Sequence, residues 1–277
     1  MTTGISIFSS GYCTANNRIV HPEQRSGKIR FYATWALIEH PSLGRIVFDS
    51  GYSNGFFTAT RSLPSRLYRW VTPVTFKEEQ SCLNQLKRVN LEPEDISHLV
   101  TSHFHADHIG GLKDFPKVTY WCSEQALDHA LDKTNLNGVF RGILPPLIPR
   151  DIKNRSRFPE KEFSPVNLAP FNSWKWAEDV YFIDLPGHAR GQIGLLVRNT
   201  SIGDVFLCAD GAWTRRSVEE RIYPAPVIKV FVDNYRILRQ TIDKLNQFHT
   251  NNPEVLILPA HCPETVKLIT KPADIEI

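Results

Sequence analysis

The run TSHFHADHIGG at residues 101–111 contains four residues that bind metal ions well, all within six positions. In an extended segment, residues i, i+2 and i+4 project to the same side, so we expect His103, His105 and Asp107 to converge on one point. His108 follows Asp107 directly and leaves at a different angle. Imidazole nitrogen suits zinc and similar ions, and a carboxylate adds a harder oxygen ligand. The run therefore predicts a site for divalent metal ions.

Three more residues of the same kinds each follow a separate apolar, strand-like stretch downstream. They are His188 after Pro186-Gly187, Asp210 after Cys208-Ala209, and His261 after Pro259-Ala260. A lone histidine is more often a hydrogen-bonded core or surface residue than a ligand. The H-x-H-x-D-H run followed by two glycines does not suit that interpretation. Together the seven residues are enough to bind two ions.

These motifs, with Phe48-Asp49-Ser50-Gly51 before them, resemble those of the metallo-β-lactamase superfamily of hydrolases, and they occur in the family's order. The resemblance extends from about residue 31 to residue 261. It implies an α/β fold, a four-layer αββα sandwich with the metals at one edge between two similar halves. It also implies two zinc ions, although His and Asp sites accept manganese, iron or cobalt as well.

The resemblance also implies a role for each motif residue. One ion would be held by His103, His105 and His188, the other by Asp107, His108 and His261, and Asp210 would bridge them. Asp49 would brace the metal-binding loop by hydrogen bonds, although an aspartate in Asp-Ser-Gly is equally typical of an ordinary turn. Cys208 and Cys262 flank two of the motif residues, where core packing is the simpler interpretation.

A two-metal site of this kind performs hydrolysis. Two ions about 3.5–4 Å apart can share a water and lower its pKa to about 7, and the resulting hydroxide is the nucleophile. Asp107 or Asp210 could pass a proton to the leaving alkoxide. The chain is most similar to the compact superfamily members that open acyl-homoserine lactones or related lactones and esters. We therefore expect a small lactone or ester as substrate, with a phosphodiester or a thioester as the alternative.

One position departs from that group. Several of these lactonases have a tyrosine three residues after the bridging aspartate, where its hydroxyl binds the substrate oxyanion, and this chain has Trp213. An indole N–H can donate a hydrogen bond, but its reach differs from that of a phenol. Trp213 could therefore contact the substrate or could simply pack. Tyr223 could take the role only if the fold brings it close.

Composition limits the other possibilities. The chain has 277 residues, of which 42% are hydrophobic and 22% charged, as in ordinary globular proteins. A net charge of +3 does not suggest a nucleic-acid binder, and a nuclease would more plausibly need an extended basic surface. Five scattered cysteines without a C-x-x-C pair indicate a reducing compartment. We find neither a signal peptide nor an apolar run long enough to span a membrane, and expect a cytoplasmic protein with a small-molecule substrate.

Other members of the superfamily fit less well. A β-lactamase would usually be secreted, and a glutathione-thioester hydrolase should have a basic helical C-terminal region. A diiron redox enzyme normally has glutamate at the position of His105 and carries a flavin domain. A protein that only binds metal would be expected to have lost one of the seven ligands.

The pattern predicts one domain over residues 1–277, with insertions at 52–76 and 135–171. The first insertion is aromatic and basic, and the second is rich in proline yet apolar, so we expect both to line the substrate pocket. An exposed face of the first could join two subunits in a homodimer. A helix is predicted after the capping-box pattern at residues 75–78 and another over 233–249. Strands are predicted over residues 31–39, 45–49, 96–101, 118–122, 180–185, 193–197, 205–208 and 254–258.

Overall fold

The computed structural model describes residues 2–268 and contains two mixed β-sheets. The seven strands of the first sheet are β1 (Gly4–Asn16), β2 (Lys28–His40), β3 (Gly44–Phe48), β4 (Val74–Thr75), β5 (His98–Val100), β6 (Thr119–Trp121) and β7 (Ser156–Arg157). Their order across the sheet is β4-β1-β2-β3-β5-β6-β7. Strands β3, β5, β6 and β7 run parallel, as is typical of strands connected through helices.

The second sheet comes from the C-terminal half of the chain. Its strands are β8 (Pro165–Leu168), β9 (Phe171–Ala177), β10 (Val180–Asp184), β11 (Ile193–Thr200), β12 (Gly203–Ala209) and β13 (Leu256–Pro259). Their order is β13-β12-β11-β10-β9-β8, and only the pair β12 and β13 is parallel.

Helices cover the outer face of each sheet and form several of the connections. Their bounds are α1 (Asn54–Ala59), α2 (Ser65–Val71), α3 (Cys82–Arg88), α4 (Ala106–Ile109), α5 (Glu124–Leu131), α6 (Asn135–Val139), α7 (Ile152–Arg155), α8 (Pro159–Glu162), α9 (Arg215–Glu219), α10 (Tyr235–Asn251) and α11 (Pro263–Val266). None of the helices in the described part of the chain has the length and apolar character that crossing a membrane requires.

The buried residues divide into layers that match this arrangement. One cluster lies between the sheets and includes Ile38 of β2, Phe182 of β10 and Leu207 of β12. A second cluster packs the first sheet against α3 and α5, and a third packs the second sheet against α10. The order of layers is therefore helix, sheet, sheet, helix, and the predicted αββα sandwich is confirmed.

The sequence analysis predicted eight of the thirteen strands found in residues 2–268 and missed β1, β4, β7, β8 and β9. In β1, alternation is clear only at Ile5 and Ile7, because the pairing register with β2 then shifts between Ser9 and Tyr12. Gly11 lies in this irregularity with φ at +83°. An irregular strand of this kind loses the strict period of two on which sequence recognition depends.

The helix predicted after residues 75–78 begins later than expected. Thr75 ends β4, and α3 begins at Cys82. Ser81 is the true N-cap, since its hydroxyl accepts a hydrogen bond from the Asn84 N–H at 3.2 Å. The predicted helix over 233–249 is present as α10. Asn234 caps its N-terminus, since the Asn234 side-chain oxygen accepts a hydrogen bond from the Ile237 N–H.

The two segments predicted as insertions contain regular structure. Segment 52–76 includes α1, α2 and β4, and segment 135–171 includes α6, α7, α8 and the edge strands β7 and β8. Helices α2 and α6 contact each other, so the two segments meet. Ala106, at the start of α4, donates its N–H to the Gly142 carbonyl at 2.9 Å, which joins segment 135–171 to the metal-binding run.

Candidate metal centre

The histidine-rich run follows β5, at the carboxyl end of the parallel part of the first sheet, where ligands tend to bind in α/β folds. His103 and His105 lie in the connection after β5, but α4 begins at Ala106. The expectation that Asp107 continues an extended segment is therefore wrong. Asp107 and His108 project from a helical turn, whereas His103 and His105 lie in the non-helical connection before it.

The seven predicted ligands come together as two groups. The first consists of His103, His105, His188 and Asp210, and the second of Asp107, His108 and His261. Within each group the candidate ligand atoms lie within 4.8 Å of one another. Each group combines residues from the first-sheet half with residues from the second-sheet half, because His188, Asp210 and His261 follow β10, β12 and β13.

Asp210 lies between the two groups. Its Oδ2 atom is 3.0 Å from the Nε2 atoms of both His188 and His261. Its Oδ1 atom is 3.4 Å from His108 Nε2, without hydrogen-bond geometry. Oδ2 therefore lies close to one histidine of each group, and Oδ1 lies near a second histidine of the second group.

Several of these atoms are buried and unpaired. His103 Nε2, His108 Nε2 and Asp210 Oδ1 have no hydrogen-bond partner among residues 2–268. Buried polar atoms almost always have hydrogen-bond partners. A cluster of buried atoms without partners therefore indicates a bound ion or water. Imidazole nitrogens and carboxylate oxygens that converge at these separations fit divalent metal ions such as zinc.

Outer hydrogen bonds orient several of the histidines. Asp49 Oδ2 accepts from His108 Nδ1 at 2.7 Å, and the two Asp49 oxygens also accept from the Ser102 N–H and hydroxyl, each at 2.8 Å. Ser102 Oγ is 3.0 Å from His103 Nδ1. These bonds leave the Nε2 atoms of His103 and His108 directed to the cluster, as metal-binding histidines require.

The charge states suit cation binding. Burial holds the pKa values of His103 and His105 well below 6.5, so both imidazoles are neutral at pH 7. Burial alone would raise the pKa of Asp210, but the neighbouring His261, His188 and His108 outweigh it and hold that pKa well below 3.8. Asp210 therefore remains ionised.

Trp213 reaches the site through Asp210. Its indole Nε1–H donates to Asp210 Oδ2 at 3.0 Å. The indole ring meets His188 edge to face at 5.8 Å and Phe31 at 5.5 Å between centroids. The indole N–H of Trp213 is therefore hydrogen-bonded to a carboxylate of the protein in this structure.

Tyr223 lies elsewhere. Its hydroxyl donates to Asp243 of α10 at 2.5 Å, and the Arg239 guanidinium lies 4.2 Å from the centre of its ring. The structure therefore gives no support to Tyr223 as a substitute for the missing lactonase tyrosine. Cys208 and Cys262 are buried, and neither belongs to the two groups found among residues 2–268.

Sequence reasoning missed two contributors to the site. Ser102 adjoins His103 in the chain, so its position next to the motif was a usable signal. The other is the Tyr32 carbonyl of β2, which accepts from His261 Nδ1 at 2.7 Å. No local pattern could indicate a backbone atom 229 positions away from its histidine.

Comparison with known proteins agrees with this fold. Residues 30–133 match the family described as the Metallo-beta-lactamase superfamily. N-acyl homoserine lactonase AiiA from Bacillus thuringiensis subsp. kurstaki is 23% identical over 230 residues, which is 77% of each chain. N-acyl homoserine lactonase AttM from Agrobacterium fabrum is 25% identical over 241 residues, covering 82% of this chain and 81% of AttM.

Solved structures show the same fold. A mutant of B. thuringiensis AiiA with N-decanoyl-L-homoserine bound superimposes with a TM-score of 0.72 at 20% identity, over 98% of both chains. AidC, described as a dizinc quorum-quenching lactonase, superimposes with a TM-score of 0.61 at 15% identity, over 95% of this chain and 90% of AidC. Residues 30–133 therefore match the metallo-β-lactamase superfamily, and the chain has the metallo-β-lactamase fold, as its motif residues predicted.

Proposed function

We propose that this protein is a metal-dependent hydrolase that opens a small lactone or ester, with an acyl-homoserine lactone as the leading candidate. The observation that carries the proposal is the pair of ligand groups, both contacted by Asp210, in which buried ligand atoms lack hydrogen-bond partners among residues 2–268. The named activity of the relatives AiiA and AttM supports the substrate class. The dizinc description of AidC supports zinc as the metal.

The assignment of ligands follows from the two groups. One ion would be bound by His103, His105 and His188, the other by Asp107, His108 and His261, with Asp210 shared. When bound, two such ions would lower the pKa of a shared water and polarise the substrate carbonyl. Asp49 and Ser102 would hold the ligand rings in place by the bonds described above.

The two carboxylates of the site are not equivalent as proton carriers. Asp210 has 2% of its side chain exposed, accepts a hydrogen bond from Trp213, and is held ionised by three histidines. A carboxylate with such a low pKa is a weak proton acceptor. The Asp107 side chain is 13% exposed, and its Oδ2 lies 3.6 Å from His261 Nε2. We therefore assign proton transfer to the leaving alkoxide to Asp107, and a binding role to Asp210.

Segments 52–76 and 135–171 are the proposed walls of the substrate pocket. Both present apolar side chains to solvent, where α2 and α6 contact each other. The most exposed of these are Leu63, Trp70, Val71, Leu136 and Phe140. Such a surface suits an acyl chain, and an exposed face of segment 52–76 is where we place the predicted homodimer contact. The five cysteines are all buried and unpaired, which supports a reducing compartment such as the cytoplasm.

The first experiment measures metal content per chain and hydrolysis rates before and after chelation. The substrates are acyl-homoserine lactones of several lengths, aryl esters, a glutathione thioester and bis-p-nitrophenyl phosphate. About two ions with chelator-sensitive lactone or ester turnover is the expected result. Turnover of the phosphodiester or the thioester alone would move the substrate to one of the alternatives. No bound metal, and no activity after zinc or manganese is added, would contradict the enzyme proposal.

His105→Ala tests the ligand assignment. Loss of this imidazole should reduce the bound metal from about two ions to about one. Hydrolysis should fall by about 100-fold or more, because a single ion cannot both share a water with a second ion and leave that second ion to polarise the substrate carbonyl. His249→Ala is the matched control, since His249 lies in the last turn of α10 and outside both groups. Two retained ions with full activity in His105→Ala would show that the assignment is wrong.

A further inference from the structure

The four most buried histidines of the site differ in what their outer ring nitrogen contacts. Three of them have a partner: Ser102 Oγ for His103, Asp49 Oδ2 for His108, and the Tyr32 carbonyl for His261. His188 is the exception. It is 5% exposed, and its Nδ1 atom is buried with no hydrogen-bond partner among residues 2–268.

With a metal ion bound at Nε2, this unpaired atom is a donor. His188 Nε2 faces the cluster, 3.0 Å from Asp210 Oδ2 and 2.9 Å from His105 Nδ1. A neutral imidazole that binds metal through Nε2 carries its proton on Nδ1. The outer N–H of such a histidine almost always donates to a carboxylate, a carbonyl or a water. His188 therefore needs an acceptor that no direct contact within the described part of the chain supplies.

A cavity of about 20 Å³ lies beside His188. Its polar lining consists of His188, His129, Arg141, Arg190 and Asp233, with His105 at one side. About 10–15 Å³ is enough for one water molecule, provided that two or more polar groups hold it. The cavity therefore has the size and the lining for a single bound water.

Asp233 is fixed next to His188 by the backbone. Its N–H donates to the His188 carbonyl at 2.8 Å, so the two residues stay adjacent whatever their side chains do. The Asp233 Oδ1 atom lies 3.4 Å from Arg190 Nη2. Arg141 closes the other side, where its Nη1 donates to the Val232 carbonyl at 3.2 Å. Asp233 is the one carboxylate among the lining residues.

We propose that one water in this cavity accepts the Nδ1 proton of His188 and donates to the Asp233 carboxylate, which makes Asp233 the positioning residue of His188. The proposal rests on the metal site proposed above. It gives His188 the same kind of outer carboxylate that His108 has directly in Asp49. Water suits this position better than an anion does, because a water can accept from His188 Nδ1 and donate to the Asp233 carboxylate, whereas an anion without a proton can only accept.

The test measures zinc affinity by competition with a chromogenic chelator, together with the visible absorption of the cobalt-substituted protein. In Asp233→Ala the affinity for one of the two ions should fall 10- to 100-fold, as for other outer partners of metal-binding histidines, and the cobalt bands should shift. The second ion should be retained. Asp233→Asn should recover part of the loss, since an amide oxygen can still accept from water. Asp243→Asn, a change on α10 in a residue paired with Arg221 and Tyr223, should have no effect.

A second comparison separates the hydrogen bond from charge alone. Loss of Asp233 leaves the Arg190 charge unpaired near His188, which by itself would disfavour a cation. The double variant Asp233→Ala with Arg190→Gln removes that charge, and its zinc affinity should remain low. Restoration of normal zinc affinity in the double variant would overturn the proposal. Unchanged zinc affinity in both Asp233→Ala and Asp233→Asn would also overturn it.

Two further results have distinct meanings. A zinc affinity that rises with chloride and does not respond to Asp233→Ala would put an anion in the cavity and overturn the proposal. If the unaltered protein binds no metal, the proposed function fails. If it binds zinc and the Asp233 variants bind zinc equally well, only the role given to Asp233 fails. Asp233→Asn keeps the test decisive even if Asp233→Ala does not fold.

Discussion

Asp210 shows how much of the site depends on the placement of a single carboxylate. Its Oδ2 atom lies 3.0 Å from three nitrogen atoms, in His188, His261 and Trp213, while its Oδ1 atom has no hydrogen bond within the described chain. The residue before it, Ala209, has φ at +46°, a backbone conformation that costs a non-glycine residue about 1–3 kcal/mol. Strain of this kind is typical of functional sites, where the surrounding structure holds a side chain in one direction.

Trp213→Phe tests the role of the indole N–H at this carboxylate. The change keeps an aromatic ring against His188 and Phe31 but removes the donor to Asp210. We expect kcat to fall about 10-fold and zinc affinity to weaken, with KM nearly unchanged, because a hydrogen bond to a charged group is worth about 1.5–3 kcal/mol. Steady-state kinetics and metal competition measure this. A raised KM with normal zinc affinity would instead indicate that Trp213 binds the substrate.

At the scale of elements, helix α10 positions the loop that carries His188. The Asn234 N–H donates to the Gly187 carbonyl at 2.9 Å, and the Thr241 hydroxyl donates to the Pro186 carbonyl at 2.6 Å. Gly187 has φ at +119°, and a Cβ there would lie 2.2 Å from the Leu238 backbone nitrogen. The loop and the helix can therefore meet this closely only because residue 187 has no side chain.

Gly187→Ala should separate α10 from the loop and displace His188. We expect a loss of about 3 kcal/mol or more in unfolding free energy, from backbone strain and a clash together, and weaker binding of one ion. Gly203→Ala is the matched control, since Gly203 also has positive φ, at +96°, but no atom of residues 2–268 lies within 4 Å of its Cβ position. That change should cost about 1 kcal/mol, from strain alone. Equal losses in the two variants, measured by denaturant unfolding, would contradict the role given to this close contact.

At the scale of the whole molecule, neither half of the chain can complete either group of ligands. The first-sheet half supplies residues 103–108, and the second-sheet half supplies His188, Asp210 and His261. Backbone and side-chain bonds join the halves near the site: the Thr34 hydroxyl of β2 donates to the Ala260 carbonyl at 2.7 Å. An ion bound by both halves should therefore stabilise the packing between the sheets.

Metal removal tests this coupling. An ion present at 100 times its dissociation constant adds about 2.7 kcal/mol to stability if it binds only the folded chain. At about 2–4 °C per kcal/mol for a domain of this size, chelation should lower Tm by several degrees or more. Added zinc should restore the Tm in the unaltered protein and in His249→Ala, and less so in His108→Ala. A Tm that chelation does not change would argue against an ion shared between the halves.

The candidate ligands were predictable because the signals are local. Four of them lie in one run of six residues, and the others follow apolar stretches that form β10, β12 and β13. The αββα layers were implied by the family resemblance that these motifs carry. Local patterns were less reliable at element boundaries: the pattern at residues 75–78 suggested a helix start that Ser81 provides instead, and Asp107 proved to be helical.

By itself, the sequence determined which residue types are available for chemistry and in what order they occur, because those are properties of neighbouring positions. The tertiary structure alone decided their partners: the Tyr32 carbonyl for His261, Asp210 for Trp213, and the cavity between His188 and Asp233. These contacts join strand ends and loops that are brought together only when the two sheets pack. Their geometry depends on the sum of many long-range contacts, and no short segment of the chain encodes that sum.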